Sequence, residues 1–271
     1  SLINYFQKSN SKKTIIHCIS RSRFKTININ KKIKVKKKYN FFLKIKKLPE
    51  TDLIFYFIKS KNFLKEKRNF RHFSKLIQNF KEKPKFLLSS SSSIQGSISK
   101  KKKFDEFTKI KPKKFNQYDN YKKNYTKQKF YLENEFLKLS KNGFKVSIAR
   151  CFSFYGEKIL EYNYVISSII NSIRNKNDIV LDNQSKVIRS YLHEYDLAKW
   201  LIKICKNSSK DCSVFNVGSN IDIDMVKISK KLAKKNNLKL KFKNNINKKL
   251  DYYVPNTKRA QKILKLTNTK A

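Results

Sequence analysis

Glycine, proline, cysteine and acidic residues are all scarce in this 271-residue chain: 4 Gly, 4 Pro, 4 Cys, and 19 Asp plus Glu against 65 Lys plus Arg. Each shortage excludes something. Glycine occurs only at positions 96, 143, 156 and 218, so no Gly-x-x-Gly-x-x-Gly turn for a pyrophosphate can be built from these residues. The cysteines, Cys18, Cys151, Cys205 and Cys212, show no C-x-x-C spacing and are accompanied by only 3 His. A zinc site, or any metal site, therefore has no framework, and dispersed thiols fit a reducing compartment, the cytoplasm. Long hydrophobic runs are missing too. Leu53 to Ile58 is among the longest, far below the ~18 residues that span a bilayer, which argues against a membrane partner. No signal-peptide pattern stands at the start.

What is present is cationic and apolar. Hydrophobic content of 39% with 21 Phe argues against wholesale disorder, and the length allows a real core in one large domain or two small ones. The net charge of +46 would by itself predict a nucleic-acid partner. Yet only 8 of the 65 basic residues are Arg, and the lysines spread along nearly the whole chain. Base readers favour the bidentate fork of Arg. Abundant Lys, Asn, Ile, Phe and Tyr with scarce Gly, Pro and Ala is the pattern of a coding bias toward A and T, so the charge is read as background. A field of this sign still draws in an anionic substrate.

Short continuous apolar runs alternate with helical spacing. Strands are expected at 14–20, 52–58, 86–90 and 146–150, with one permitted within 31–47; helices are expected over 66–82 and from about Asn124 to Lys141, stopping at Asn142-Gly143. Residues 2–7 read as the tail of an amphipathic helix, and residues 97–120, polar and Lys-rich with Pro112, as a long surface loop. After Gly156 the pattern changes to helices over 163–175, 195–206 and 224–236, with strands near 179–181, 187–192 and 213–217. Alternation of this kind argues for a parallel α/β sheet.

Three Tyr-x-x-x-Lys pairs occur, Tyr118–Lys122, Tyr125–Lys129 and Tyr195–Lys199, and composition alone predicts roughly three. Context selects the second, which lies one turn apart on a predicted helix with Glu133 eight residues after the Tyr. An ammonium there would lower a phenol's pKa and make Tyr a usable proton donor and acceptor. Around the pair stand Phe86-Leu87-Leu88 followed by five serines, Ser89 to Ser93, closed by Gly96; Arg150-Cys151-Phe152-Ser153-Phe154-Tyr155-Gly156; Arg189-Ser190-Tyr191-Leu192-His193-Glu194-Tyr195-Asp196-Leu197-Ala198; and Asn216-Val217-Gly218.

In order and spacing these pieces resemble the extended short-chain dehydrogenase/reductase family, the NAD(P)-dependent sugar-nucleotide epimerases and dehydratases. The segment from Arg189 to Ala198 matches the family pattern Arg-x-Tyr-x-His-x-x-Asp-Leu-Ala at every specified position. The resemblance is good from residue 86 to about 236 and thin before. It implies a Rossmann-type α/β fold, with residues 1–156 as an N-terminally incomplete NAD(P)-binding domain. Residues 157–271 would be mainly a smaller substrate lobe, some of whose elements return to the main sheet.

It also implies roles. Tyr125 would exchange a proton with a sugar hydroxyl, Lys129 would tune Tyr125 and bind the nicotinamide ribose, and Ser91 would hydrogen-bond the reacting oxygen. Phe152 would line the nicotinamide pocket. Arg21, where an acidic residue would hold the NAD ribose, leans with Arg23 toward a 2′-phosphate, so the cofactor is NAD or NADP. Ser153 and Arg189 would meet the substrate, a nucleotide-diphosphate sugar, with guanidinium suited to the diphosphate. His193 and Asp196 are read as structural, Ser91 and Phe152 have turn-capping and core-packing alternatives, and a homodimer is allowed.

The chain departs from the family at several points. Ser153 replaces Asn, and Gln95 replaces the Tyr before Gly96. Tyr56-Phe57-Ile58 is bulky where the family often has His-x-Ala. The absent glycine turn is expected to lie upstream of Ser1, or else the chain is a degenerate, non-catalytic paralogue; a basic nucleic-acid-binding protein is the third reading.

Overall fold

The structure is a computed structural model, and it describes residues 2, 5, 15–20, 34–39, 45–96, 100–157, 164–244 and 250–268. In chain order the strands are β1 (Ile15–Ser20), β2 (Lys34–Tyr39), β3 (Leu53–Tyr56), β4 (Lys85–Ser91), β5 (Lys145–Cys151), β6 (Phe154–Tyr155), β7 (Ile179–Leu181), β8 (Val187–Arg189), β9 (Leu192–His193), β10 (Ser213–Val217), β11 (Ile223–Asp224), β12 (Leu240–Phe242) and β13 (Asp251–Tyr253). The helices are α1 (Phe63–Leu76), α2 (Asn120–Lys141), α3 (Val165–Arg174), α4 (Glu194–Lys206), α5 (Met225–Lys235) and α6 (Lys258–Leu264). Two compact units result, one of residues 1–90, 115–149 and 201–213, the other of residues 91–114, 150–200 and 214–271.

In the first unit β3 pairs parallel with β4, Leu53 facing Lys85 through Tyr56 facing Leu88, and β5 flanks β4 on its other side. Phe86, Leu87 and Leu88 are all fully buried, which explains why β4 reads as a continuous apolar run: a central parallel strand is covered on both faces. β1 and β2 form a separate parallel pair.

Helix α1 starts at Asn62, whose side chain accepts from the Lys65 N–H at 2.9 Å, a capping contact that sets its first turn. Asp119 does the same for α2 through Lys122 N, so α2 begins four residues before its expected start. Its end falls where predicted, with Gly143 at φ +85° following the cap, a left-handed conformation that glycine adopts without steric cost.

Aromatic rings fill the space between these elements. Tyr56 lies 4.9 Å from Phe73 and 5.4 Å from Phe136, and Phe86 lies 5.5 Å from Phe144, all edge-to-face. That geometry sets ring edges against ring faces, as their quadrupoles prefer. The bulky Tyr56 thus belongs to the core and not to an exposed strand end, with 2% of its surface exposed.

The second unit is built from short strands. β8 pairs antiparallel with β11 and parallel with β13; β7 pairs with β12 and β6 with β9, both parallel. Ile169, Ile179, Leu181, Met225 and Ala233 form one buried cluster, and Ile188, Tyr252 and Val254 another. Asp224 caps α5 through the N–H groups of Val226 and Lys227.

The described part of the expected surface loop, residues 100–120, is mostly exposed, with three buried exceptions. Phe104 and Phe115 are each 2% exposed and Glu106 is buried. Phe104 donates its N–H to the Val254 carbonyl and accepts from the Asn256 N–H. Irregular backbone can be buried here because other backbone groups satisfy it. The expected helix at 2–7 lies mostly outside the described residues. No described helix is long and apolar enough to cross a membrane, and among the described residues no cluster of His, Cys, Asp or Glu is placed to hold a metal.

Candidate active site

Two adjacent serines of β4 set the register of α2 in the first unit. The Lys129 ammonium, 5% exposed, donates to the Ser89 carbonyl at 2.7 Å. The Ser90 hydroxyl donates to Glu133 Oε1 at 2.6 Å. Lys129 and Glu133 are one turn apart and face the same way, so two bonds to neighbouring strand residues fix both the rotation and the height of the helix. Tyr125, one turn earlier, is half-buried, and the Lys129 nitrogen lies 5.9 Å from its ring centroid.

Ring distance alone does not single out this pair, because Lys122 stands 4.3 Å over Tyr118. The attachment to β4 does. A second cation also approaches: Lys59 Nζ lies 5.3 Å from the Tyr125 centroid and 4.6 Å from that of Tyr121, and donates to the Tyr121 hydroxyl.

Behind this face sits a sealed carboxylate. Glu66 is fully buried, accepts from the Tyr56 hydroxyl at 3.2 Å and from the Ser60 N–H at 2.9 Å, and takes a third bond at 3.2 Å from the Gln128 amide in its satisfied orientation. Asn69 donates to the Ser60 hydroxyl. Burial and the neighbouring carboxylate together push the Tyr56 phenol far above its ordinary value.

The second unit holds the other predicted residues. Ser91 accepts from the Ser93 N–H at 3.2 Å and so caps the 3-10 turn Ser92–Gln95. Ser92 contacts both the Cys151 carbonyl and the Tyr253 hydroxyl. Burial pushes the Tyr253 phenol up to about 12, opposed by the hydroxyls of Ser92 and Ser91 and by the nearby Arg189. Phe152 is buried against Tyr253 at 4.9 Å and Phe104 at 6.1 Å. Ser153 uses its carbonyl to accept from the Leu192 N–H. Arg189 pairs with Asp251 Oδ2 at 2.5 Å and donates to the Asp251 carbonyl at 3.0 Å.

The remaining motif residues prove to be anchors. Arg150 donates to the Glu106 carbonyl, and the Asn216 N–H to the Glu106 side chain, both at 2.9 Å. Burial raises the Glu106 carboxyl above its ordinary value, and the Asn216 bond offsets part of that. A Cβ at Gly218 would stand 2.9 Å from Pro255 and 3.1 Å from Phe152, which is why glycine follows Val217. Asp196 is 2% exposed, and His193 accepts from the Tyr195 N–H and meets the Tyr155 ring edge-on.

Arg21 and Arg23 lie outside the described residues. Sequence reasoning missed Lys59, Glu66, Asp251 and Tyr253. The Asp-Tyr-Tyr-Val run before Pro255 has strand composition and could have flagged the last two. A lone Lys or Glu in so charged a chain carries no such signal.

The fold has clear counterparts. Over all of this chain and 88% of theirs, the residues superpose on dTDP-glucose 4,6-dehydratase from Bacillus anthracis in complex with NAD, at TM-score 0.75 and 15% identity. UDP-glucose 4-epimerase from Thermotoga maritima with UDP-glucose gives 0.72 at 13%, over all of this chain and 90% of that one. RMD from Pseudomonas aeruginosa complexed with NADPH gives 0.63 at 15%, over 81% of this chain and 77% of that one. At such identities the likeness shows the Rossmann-type fold. No curated protein sequence matches the chain. Residues 61–218, more than half of the chain, match the NAD dependent epimerase/dehydratase family, and the protein belongs to that family, within the extended short-chain dehydrogenases/reductases.

Proposed function

We propose that the protein is an NAD(P)-dependent epimerase, dehydratase or 4-keto reductase acting on a nucleotide-diphosphate sugar, with Tyr125, Lys129 and Ser91 as its proton-handling residues. Residues 1–156 would mainly hold the cofactor and residues 157–271 mainly the sugar nucleotide, in the cytoplasm, with a homodimer as the assembly to test. The observation that carries this reading is the double tie of α2 to β4, Lys129 to Ser89 and Ser90 to Glu133. It holds an ammonium beside one chosen tyrosine. Structural relatives complexed with NAD or NADPH and with UDP-glucose support the ligand classes.

The residues present fit a dinucleotide in part. Tyr56, too bulky for a cofactor wall, is turned into the core and leaves the strand end free of its ring. A bound nicotinamide supplies the hydride acceptor and donor. Tyr125 would take the proton of a sugar hydroxyl as its carbon is oxidised and return it on reduction. Lys129, aimed by the Ser89 carbonyl, favours the phenolate form and would hold the ribose diol. Ser91 would hydrogen-bond the reacting oxygen, Phe152 and Arg21 would contribute to cofactor binding, and Ser153 and Arg189 to the substrate. Arg189 is already paired with Asp251, so a diphosphate would have to share that guanidinium.

Tyr125→Phe should lower turnover on the true substrate by about 10²- to 10⁴-fold while NAD or NADP binding, followed by calorimetry, is retained. Unchanged turnover would sink the assignment. A fold-retaining, non-catalytic paralogue is the second reading, to which the lack of a Gly-x-x-Gly-x-x-Gly turn in these residues points; failure to bind either dinucleotide when these residues are tested together with whatever their coding sequence places before Ser1 would select it.

A further inference from the structure

The segment linking β3 to α1 brings a cation to Tyr125 that comes from no part of α2. We propose that Lys59 is a second positioning residue for Tyr125, a cation that acts with Lys129 to favour the phenolate; this rests on Tyr125 being the acid/base. Lys59 Nζ is 5.3 Å from the Tyr125 ring centroid, against 5.9 Å for Lys129 Nζ. The side chain is exposed, yet its backbone is not left to wander. The next residue, Ser60, gives its N–H to buried Glu66 at 2.9 Å, and the one after, Lys61, accepts from the Asn124 side chain of α2 at 3.0 Å. The Lys59 ammonium is further held by the Tyr121 hydroxyl and ring, one turn before Tyr125 on α2.

The carboxylates of these elements have partners of their own: Glu133 the Ser90 hydroxyl, Glu135 the Lys138 ammonium at 2.7 Å, Asp119 the Lys122 N–H at the cap of α2, and Glu66 of α1 the groups of Tyr56, Ser60 and Gln128. Two like cations therefore bear on one phenol, from α2 and from the β3–α1 segment. A unit charge at this distance, at a half-exposed and partly screened site, shifts a titration by about 0.5–1 pH unit.

The test is an NMR pH titration of the full chain carrying ring-labelled tyrosine, with Tyr125→Phe identifying the Tyr125 signal. In the unsubstituted chain that signal should titrate below the ordinary value of ~10, and Lys59→Met should raise it by about 0.5–1 unit. Lys59→Arg should restore most of the shift, and Lys67→Met, which removes an equal charge from beside Phe63, should leave the signal in place. In a turnover assay the acid limb of the kcat/KM profile should move with it. No movement of the Tyr125 titration in Lys59→Met, or equal movement in Lys67→Met, overturns the role of Lys59. If instead the titration moves as stated and Tyr125→Phe leaves turnover intact, Lys59 still tunes Tyr125 and the acid/base reading is what fails.

Discussion

The buried carboxylate of the first unit, Glu66, is met chiefly by side chains beside an aromatic cluster, whereas that of the second, Glu106, is met by the backbone of β10. Glu66 in the first is reached by side chains from β3 and α2 and sits behind Tyr56, Phe70, Phe73 and Phe136. Glu106 in the second is held by the backbone of Asn216, and its own carbonyl by Arg150. Large rings and long elements let the first unit position α2 with few contacts. In the second, bonds from β10 and from Arg150 fasten the segment that carries Glu106, so these motif residues serve as anchors.

Substitutions can break that contrast. The largest stability effect is expected from Phe136→Ala, about 3–5 kcal/mol, since this ring is fully buried among three others. Ile188→Val in the small cluster of the second unit should cost only about 0.5–1.5 kcal/mol. Urea unfolding of the two variants measures the difference, and equal losses would erase the distinction. Glu66→Ala should follow, at about 2–3 kcal/mol, because the Tyr56 hydroxyl and the Ser60 N–H lose their buried acceptor. A loss within error of zero would mean that the carboxylate holds nothing in place.

The remaining effect is confined to alkaline solution. Burial raises Cys205 and Cys212 in the first unit to about 12 from an ordinary 9.0, and Tyr253 in the second to about 12 from 10.0. The folded state prefers the neutral form in each case. The resulting stability is therefore fully present below the unfolded pKa and is lost as pH rises through the folded one. Unfolding midpoints should begin to fall near pH 9 through the thiols and near pH 10 through the phenol. Tyr253→Phe should lessen the later part of the fall, to which the raised phenols of Tyr56 and Tyr191 also contribute, and an unchanged slope above pH 10 would contradict it.

Much of the first unit was legible in the sequence for a physical reason. A central parallel strand is apolar throughout, and a helix with one buried face repeats every three to four residues, so β4, β5, α1 and α2 show themselves locally. The Asn142-Gly143 stop is also local chemistry. The buried anchors Phe104 and Glu106 within the loop at 97–120 went unread because their partners lie beyond residue 200, and no local pattern records such partners. Strands β12 and β13 and helix α6, all after residue 236, went unread, and two- or three-residue strands such as β6, β9 and β11 exist only through their pairing.

By itself the sequence determined the family, through the order and spacing of its motifs, and placed Tyr125, Lys129 and Glu133 along one side of one helix, since 3.6 residues per turn is a property of the chain alone. Only the tertiary structure decided which Tyr–Lys pair meets β4 and that Ser90, next to Ser91, is the serine bonded to Glu133. It also decided that Tyr56 faces the core and that Lys59 stands over Tyr125. Each of these depends on residues far apart in the chain that come together only when the core packs.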